Sequence, residues 1–171
     1  MPRSSNSLPL EGVVKALALA LALTACGPSP VIVDGLEARA MYVGPLEDAV
    51  QAEDDYGTPV LALSVAPSCS RAEKALVRNA AALWHPHARI LVSLNGTAGN
   101  VMCLGAYPAE LPTAGSIVLF PTADLTSVAH EMGHALGLGH DLKHPSDALM
   151  GAYSESESVT RWDVAALGLL Y

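Results

Sequence analysis

The eleven residues 130–140, H-E-M-G-H-A-L-G-L-G-H, decide how the rest of this chain is interpreted. His130 and His134 are four positions apart. On a helix their imidazoles therefore leave the same face, one turn apart, and can bind a single cation. Glu131 lies beside the first of these histidines, where its carboxylate can accept a proton from a metal-bound water. The segment predicts a helix that carries a metal site.

A third histidine follows a glycine that is suited to ending this helix. Gly137 has no Cβ and can adopt the left-handed conformation that turns the chain back, which lets His140 reach the same metal. Three neutral nitrogen ligands leave the fourth tetrahedral position for water, which is the arrangement of a catalytic zinc. We predict that His130, His134 and His140 bind one Zn²⁺ and that Glu131 is the general base.

Two further segments extend the pattern towards a known family. The run at 130–140 resembles the active-site motif of the metzincin zinc endopeptidases and is especially similar to the matrixin branch. Ala148-Leu149-Met150 looks like the methionine turn of that family. Residues 160–171 are similar to the last matrixin helix. They also predict a helix by themselves, because Thr160 and Asp163 fit a capping box ahead of an apolar run.

The resemblance implies a fold, an activity and a binding mode. The expected fold is α+β, with a mixed twisted sheet, an antiparallel edge strand, the zinc helix, the methionine turn and a C-terminal helix. The expected activity is that of a zinc-dependent endopeptidase. An extended peptide substrate would lie along the edge strand, which we place at 101–107 because prolines follow it at once. Met150 would form an apolar floor under the zinc.

Hydrophobic runs and turn residues predict the remaining elements. The expected strands are 60–65, 90–94, 101–107 and 117–120, and the expected helices are 70–84 and 125–137. Residues 31–43 fit an additional strand, and residues 45–55 fit a short acidic helix.

The N-terminus resembles a bacterial lipoprotein signal peptide. A positive start with Arg3 and Lys15 precedes the short apolar run 16–23, and Leu23-Thr24-Ala25-Cys26-Gly27 looks like a lipobox. The resemblance implies cleavage before Cys26 and a lipid anchor on it, hence a cell-envelope protein at the outer membrane or cell surface. The alternative is an ordinary secretory signal with a chance cysteine. Either way we expect an exported protein.

The predicted organisation is therefore a signal peptide at 1–25, a lipidated cysteine with tether and N-terminal segment at 26–56, and a metallopeptidase domain at 57–171. The chain carries nine basic and seventeen acidic residues, and removing Arg3, Lys15 and Glu11 with the signal leaves a net charge of −9. This acidity argues against nucleic acid as a partner. We expect a monomer whose partners are its peptide substrate and, through the lipid, a membrane.

Two cysteines remain once Cys26 is lipidated. In an oxidising compartment Cys69 and Cys103 are expected to form a disulfide. The alternative is a thiol that binds the zinc and keeps the enzyme latent, as in the matrixin switch, although neither cysteine has the sequence surroundings of that switch.

Two other functions use the same residues. A zinc-binding envelope lipoprotein could keep a protease-like scaffold without catalysis, but the intact Glu131 argues against this. A zinc hydrolase acting on a small amide or on cell-wall peptides stays open.

Overall fold

The helices and strands follow the predicted order, and most of their bounds agree within two residues. The computed structural model describes residues 39–45, 53–94, 100–106, 112 and 114–171. The signal peptide, Cys26 and the proposed tether lie outside these residues. The elements are β1 (Ala40–Val43), β2 (Val60–Ser64), α1 (Arg71–Trp84), β3 (Arg89–Ser93), β4 (Val101–Cys103), β5 (Ser116–Leu119), α2 (Leu125–Ala135) and α3 (Arg161–Leu167). No helix among the described residues is long and apolar enough to cross a membrane.

The strands form a three-stranded mixed sheet, in the order β1, β5, β4, and a two-stranded parallel sheet of β2 and β3. β5 pairs parallel with β4 on one side and antiparallel with β1 on the other, and β2 pairs parallel with β3. An isolated parallel bridge between Val65 and Val101 links the end of β2 to β4. The strands therefore follow one another as β3, β2, β4, β5 and β1. The α+β class and the mixed sheet are confirmed.

The position of the edge strand was predicted wrongly. Only Val101–Cys103 of the segment 101–107 forms a strand, and it lies between β5 and Val65. The prolines that suggested an edge follow this strand, so they show where it stops and not whether it has neighbours. The antiparallel edge strand of the described sheet is β1. The segment 26–56, which was predicted to precede the metallopeptidase domain, thus contributes a strand to the sheet.

The predicted acidic helix at 45–55 is not seen in the part that the structure describes. Glu53 forms a β-bridge with Pro59, and Asp54 accepts a backbone hydrogen bond from Gly57 in a turn. Residues 46–52 lie outside the described residues.

Helix α1 begins and ends where its sequence indicates. Ser70 and Glu73 form a capping box, and the helix stops at Trp84, just before His85 and Pro86. Trp84 is fully buried, and its indole N–H donates to the carbonyl of Ala129 in α2 over 2.9 Å. This bond fixes α2, which is the predicted zinc helix, against α1.

The disulfide between Cys69 and Cys103 is confirmed, with a Cα–Cα distance of 5.2 Å. It joins the start of α1 to β4. Because each cysteine is bonded to the other, neither is a thiol that could bind the metal. The latency alternative is therefore wrong for these two residues.

Candidate metal centre

The zinc helix is closed at both ends by its own sequence. Asp124 caps the N-terminus and forms a capping box with Ser127. At the C-terminus the N–H of Gly137 donates to the carbonyl of His134, and the N–H of Leu138 donates to that of Gly133. This is a Schellman motif, and Gly137 has the positive φ of 90° that the motif requires. The chain reverses there, as predicted.

The reversal brings three imidazole nitrogens together. The Nε2 atom of His140 lies 3.2 Å from that of His134 and 3.2 Å from that of His130. In a tetrahedral site with zinc–nitrogen bonds near 2.0–2.1 Å, neighbouring ligand nitrogens are about 3.3 Å apart. Two of the three separations thus match a tetrahedral zinc site, and all three ligand atoms lie within 4.8 Å of one another.

Backbone carbonyls orient two of the rings. Nδ1 of His130 donates to the carbonyl of Leu149 over 2.6 Å, and Nδ1 of His134 donates to that of Leu138 over 2.7 Å. A carbonyl only accepts hydrogen bonds, so in both neutral rings Nδ1 carries the hydrogen. Each Nε2 therefore directs a lone pair towards its neighbours. Lone pairs that converge in this way repel one another unless a cation or proton lies between them.

Burial keeps these rings neutral. Desolvation, together with the neighbouring charge of His140, lowers the pKa of His130 to about 4. Desolvation, with the charges of His130 and His140, also holds the pKa of His134 well below its usual 6.5. At neutral pH no proton competes with a metal for either nitrogen, so the pair is ready to bind a cation.

The predicted general base is buried beside this cluster. Glu131 is 1% exposed, and its Oε2 accepts a hydrogen bond from the backbone N–H of Tyr42 over 2.5 Å. Tyr42 lies in β1, far from the zinc motif in sequence. The sequence could not predict this contact, because every residue except proline has a backbone N–H and the donor therefore does not restrict the residue type.

Met150 packs directly against the zinc helix. A Cβ added to Gly133 would lie 2.2 Å from Sδ of Met150 and 3.0 Å from Cζ2 of Trp84. Only a glycine at this position lets the methionine approach the helix backbone between the two histidine ligands. The apolar floor under the zinc stays a prediction that this close packing favours.

A buried carboxylate supports the turn at Leu149 and Met150. The sequence predicted only a helix-capping role for it. Asp163, 1% exposed, accepts from the N–H of Leu149 over 3.0 Å and from that of Met150 over 2.8 Å. It also closes the capping box with Thr160 at the start of α3. Asp163 therefore fixes the peptide whose carbonyl orients His130.

A second contact fixes the loop between His140 and Met150. The N–H of Asp141 donates to the carbonyl of Met150 over 2.7 Å, and its carboxylate lies 2.9 Å from Nδ1 of His144. The His144 ring stacks on Trp162, with centroids 3.8 Å apart and planes within 8°. The loop that follows the third histidine is thereby attached to α3.

No protein-family model matches the chain, and no curated protein sequence matches it. Among solved structures the chain is similar to High choriolytic enzyme 1, a hatching enzyme zinc-protease from the medaka fish Oryzias latipes. The TM-score is 0.49 and the sequence identity 14%, over 77% of this chain and 98% of that chain. So distant a similarity does not establish an activity, which must be inferred from the residues of the site.

Proposed function

We propose that this protein is a zinc-dependent endopeptidase. The observation that carries the proposal is that Nε2 of His140 lies 3.2 Å from Nε2 of both His130 and His134, beside the buried carboxylate of Glu131. Three nitrogen ligands and a neighbouring Glu are the composition of a catalytic zinc site with an open position.

The chain's own residues divide the work of hydrolysis. His130, His134 and His140 would hold the ion, and the carbonyls of Leu149 and Leu138 keep the first two rings in the binding tautomer. The ion, when bound, lowers the pKa of its water and polarises the scissile carbonyl. Glu131 accepts the proton of the attacking water and then delivers it to the leaving amine.

We infer the substrate class from the edge of the sheet. β1 is the edge of the described sheet and contacts the zinc helix through Glu131. We place an extended peptide alongside this edge, at main-chain groups of β1 other than the Tyr42 N–H that Glu131 accepts, instead of along residues 101–107. Main-chain pairing with a strand edge recognises any extended peptide, and side-chain pockets add selectivity.

Anchoring to the cell envelope through Cys26 is part of the proposal and has its own test. Mass spectrometry of the mature N-terminus should find a lipid-modified Cys26, and Cys26→Ser should release the protein or leave its signal uncleaved. An unmodified N-terminal residue other than Cys26 would disprove the anchor without affecting the peptidase.

The activity is tested with a peptide library and the purified protein. Cleavage should require zinc and stop with chelator, and Glu131→Gln should lose at least about 1,000-fold in kcat while keeping its zinc, because the proton acceptor is gone. The matched control is Glu73→Gln, a capping residue remote from the motif. Zinc binding without cleavage of any peptide would instead favour a non-catalytic zinc-binding lipoprotein.

A further inference from the structure

Two polar contacts join the edge strand β1 and the residue before it to the zinc helix. The Arg39 guanidinium forms an ion pair with Asp124, which caps the start of α2. About two turns further along the helix, Oε2 of Glu131 accepts from the N–H of Tyr42 over 2.5 Å. A segment from outside the motif thus reaches the residue expected to handle the proton.

The Tyr42 amide is not needed by the sheet. The carbonyls of Arg39 and Val43 accept from the β5 side, from Phe120 and Gly115 respectively. In an antiparallel ladder alternate residues direct their backbone groups to the partner strand. Arg39 and Val43 are odd-numbered and face β5, so the even-numbered Tyr42 directs its N–H to the opposite side, where it meets Glu131 of the zinc helix.

Resting on the proposed peptidase function, we propose that the backbone N–H of Tyr42 is a positioning group for Glu131. An ionised carboxylate offers about four lone-pair sites, so a hydrogen bond from the Tyr42 amide restricts its orientation without itself using up the capacity to accept a proton from water. A bond from an amide to a carboxylate is charge-assisted and stronger than a neutral one. Because β5 and Arg39 hold β1 in the native fold, the amide fixes the position of the carboxylate.

A proline substitution removes this donor, and the ring Cδ that replaces the hydrogen also keeps Oε2 of Glu131 from approaching this nitrogen. Tyr42→Pro deletes the N–H, and an outward-facing position on an edge strand tolerates the loss because no ladder bond depends on it. Tyr42→Ala is the matched control, since it removes the same ring and keeps the N–H. We expect the proline variant to have a kcat about 10- to 100-fold below that of the alanine variant, with KM within about two-fold and equal zinc content.

A measurement without catalysis checks the contact itself. In metal-free protein the amide of Tyr42 should exchange with deuterium at least about 10-fold faster in Glu131→Ala than in wild type, because its acceptor is gone. The Leu104 amide, which donates to the carbonyl of Leu119 over 2.9 Å, should keep its rate and serves as the internal control.

Both the exchange measurement and the kcat comparison can disprove the proposal. Equal exchange of Tyr42 in both proteins would overturn the contact, and a kcat of Tyr42→Pro equal to or above that of Tyr42→Ala would overturn the positioning role. A rise in kcat would mean that the strand restrains the base instead of aiming it. A wild-type protein that binds zinc and cleaves nothing would overturn the peptidase, while the exchange of Tyr42 would still decide the contact.

Discussion

Replacing Asp163 should damage both the stability and the metal affinity of this protein. The Asp163 carboxylate accepts from the N–H groups of Leu149 and Met150, two residues that are themselves 0% and 2% exposed. In Asp163→Ala these donors lose their acceptor in a place that water does not reach. Each unsatisfied buried donor costs about 1–3 kcal/mol, so the free energy of unfolding should fall by roughly 2–6 kcal/mol.

The metal affinity should fall for a separate reason. Leu149 also supplies the carbonyl that holds Nδ1 of His130 at 2.6 Å, and Asp163 fixes the peptide that carries it through the N–H of Met150. Groups that orient metal ligands typically contribute 10- to 100-fold to affinity. We expect a zinc dissociation constant raised by about that factor in Asp163→Ala, measured by competition with a chromogenic chelator, and lower stability measured by urea unfolding.

Thr160→Val is the matched control. It removes the hydroxyl that lies 2.7 Å from the same carboxylate and caps α3, but it leaves the bonds to Leu149 and Met150 intact. This variant should lose about 1 kcal/mol and keep the wild-type zinc affinity. An Asp163→Ala protein with unchanged zinc affinity would refute the link from Asp163 to His130. A stability loss no larger than that of Thr160→Val would show that the N–H groups of Leu149 and Met150 do not depend on Asp163 as their acceptor.

Three other outcomes are expected. Gly133→Ala should lower the free energy of unfolding by about 1–3 kcal/mol, because its Cβ would lie 2.2 Å from Sδ of Met150; an unchanged melting temperature would contradict this packing. Reduction of the Cys69–Cys103 disulfide, which closes a loop with a sequence separation of 34, should cost about 3–4 kcal/mol and leave zinc bound. Two free thiols in the unfolded, unreduced protein would disprove the disulfide. Metal-free protein should lose stability as pH falls from 6.5 towards 4, because the unfolded imidazoles take up protons there while burial keeps the pKa of His130 near 4. For His130 alone the loss is roughly 3 kcal/mol, and a flat stability profile over this range, in comparison with His130→Gln, would contradict it.

Local patterns were sufficient for α1, α2 and α3 and for the clustering of the three histidines. Ser70 with Glu73, and Thr160 with Asp163, determine where α1 and α3 begin within a few residues of sequence. The spacing of the histidines and the left-handed Gly137 likewise act within eleven positions of one another. These predictions were right because the forces that decide them are local.

Contacts between distant segments could not be predicted in this way. The pairing of β1 with β5, and hence the identity of the edge strand, depends on which strands meet, and four-residue strands carry little information about their partners. The role of Asp163 at the methionine turn is equally non-local. Its capping pattern was visible in the sequence, but the acceptance of hydrogen bonds from Leu149 and Met150 appears only when α3 packs on the turn.

The long sequence separation of the edge strand has a consequence for the order of folding. The contact between Tyr42 and Glu131 spans 89 residues, whereas the helices form from contacts only a few residues apart. Closing so long a loop costs entropy that is recovered only after β5 and α2 are in place, so β1 should dock late.

A strand that docks late over four residues is also among the first to open. Native proteins open locally at a lower free energy than they unfold, and short edge elements lie at the low end of that scale. Warming should therefore separate β1 from Glu131 while the three histidines still hold their metal, so that turnover fails several degrees below the temperature at which the fold itself is lost.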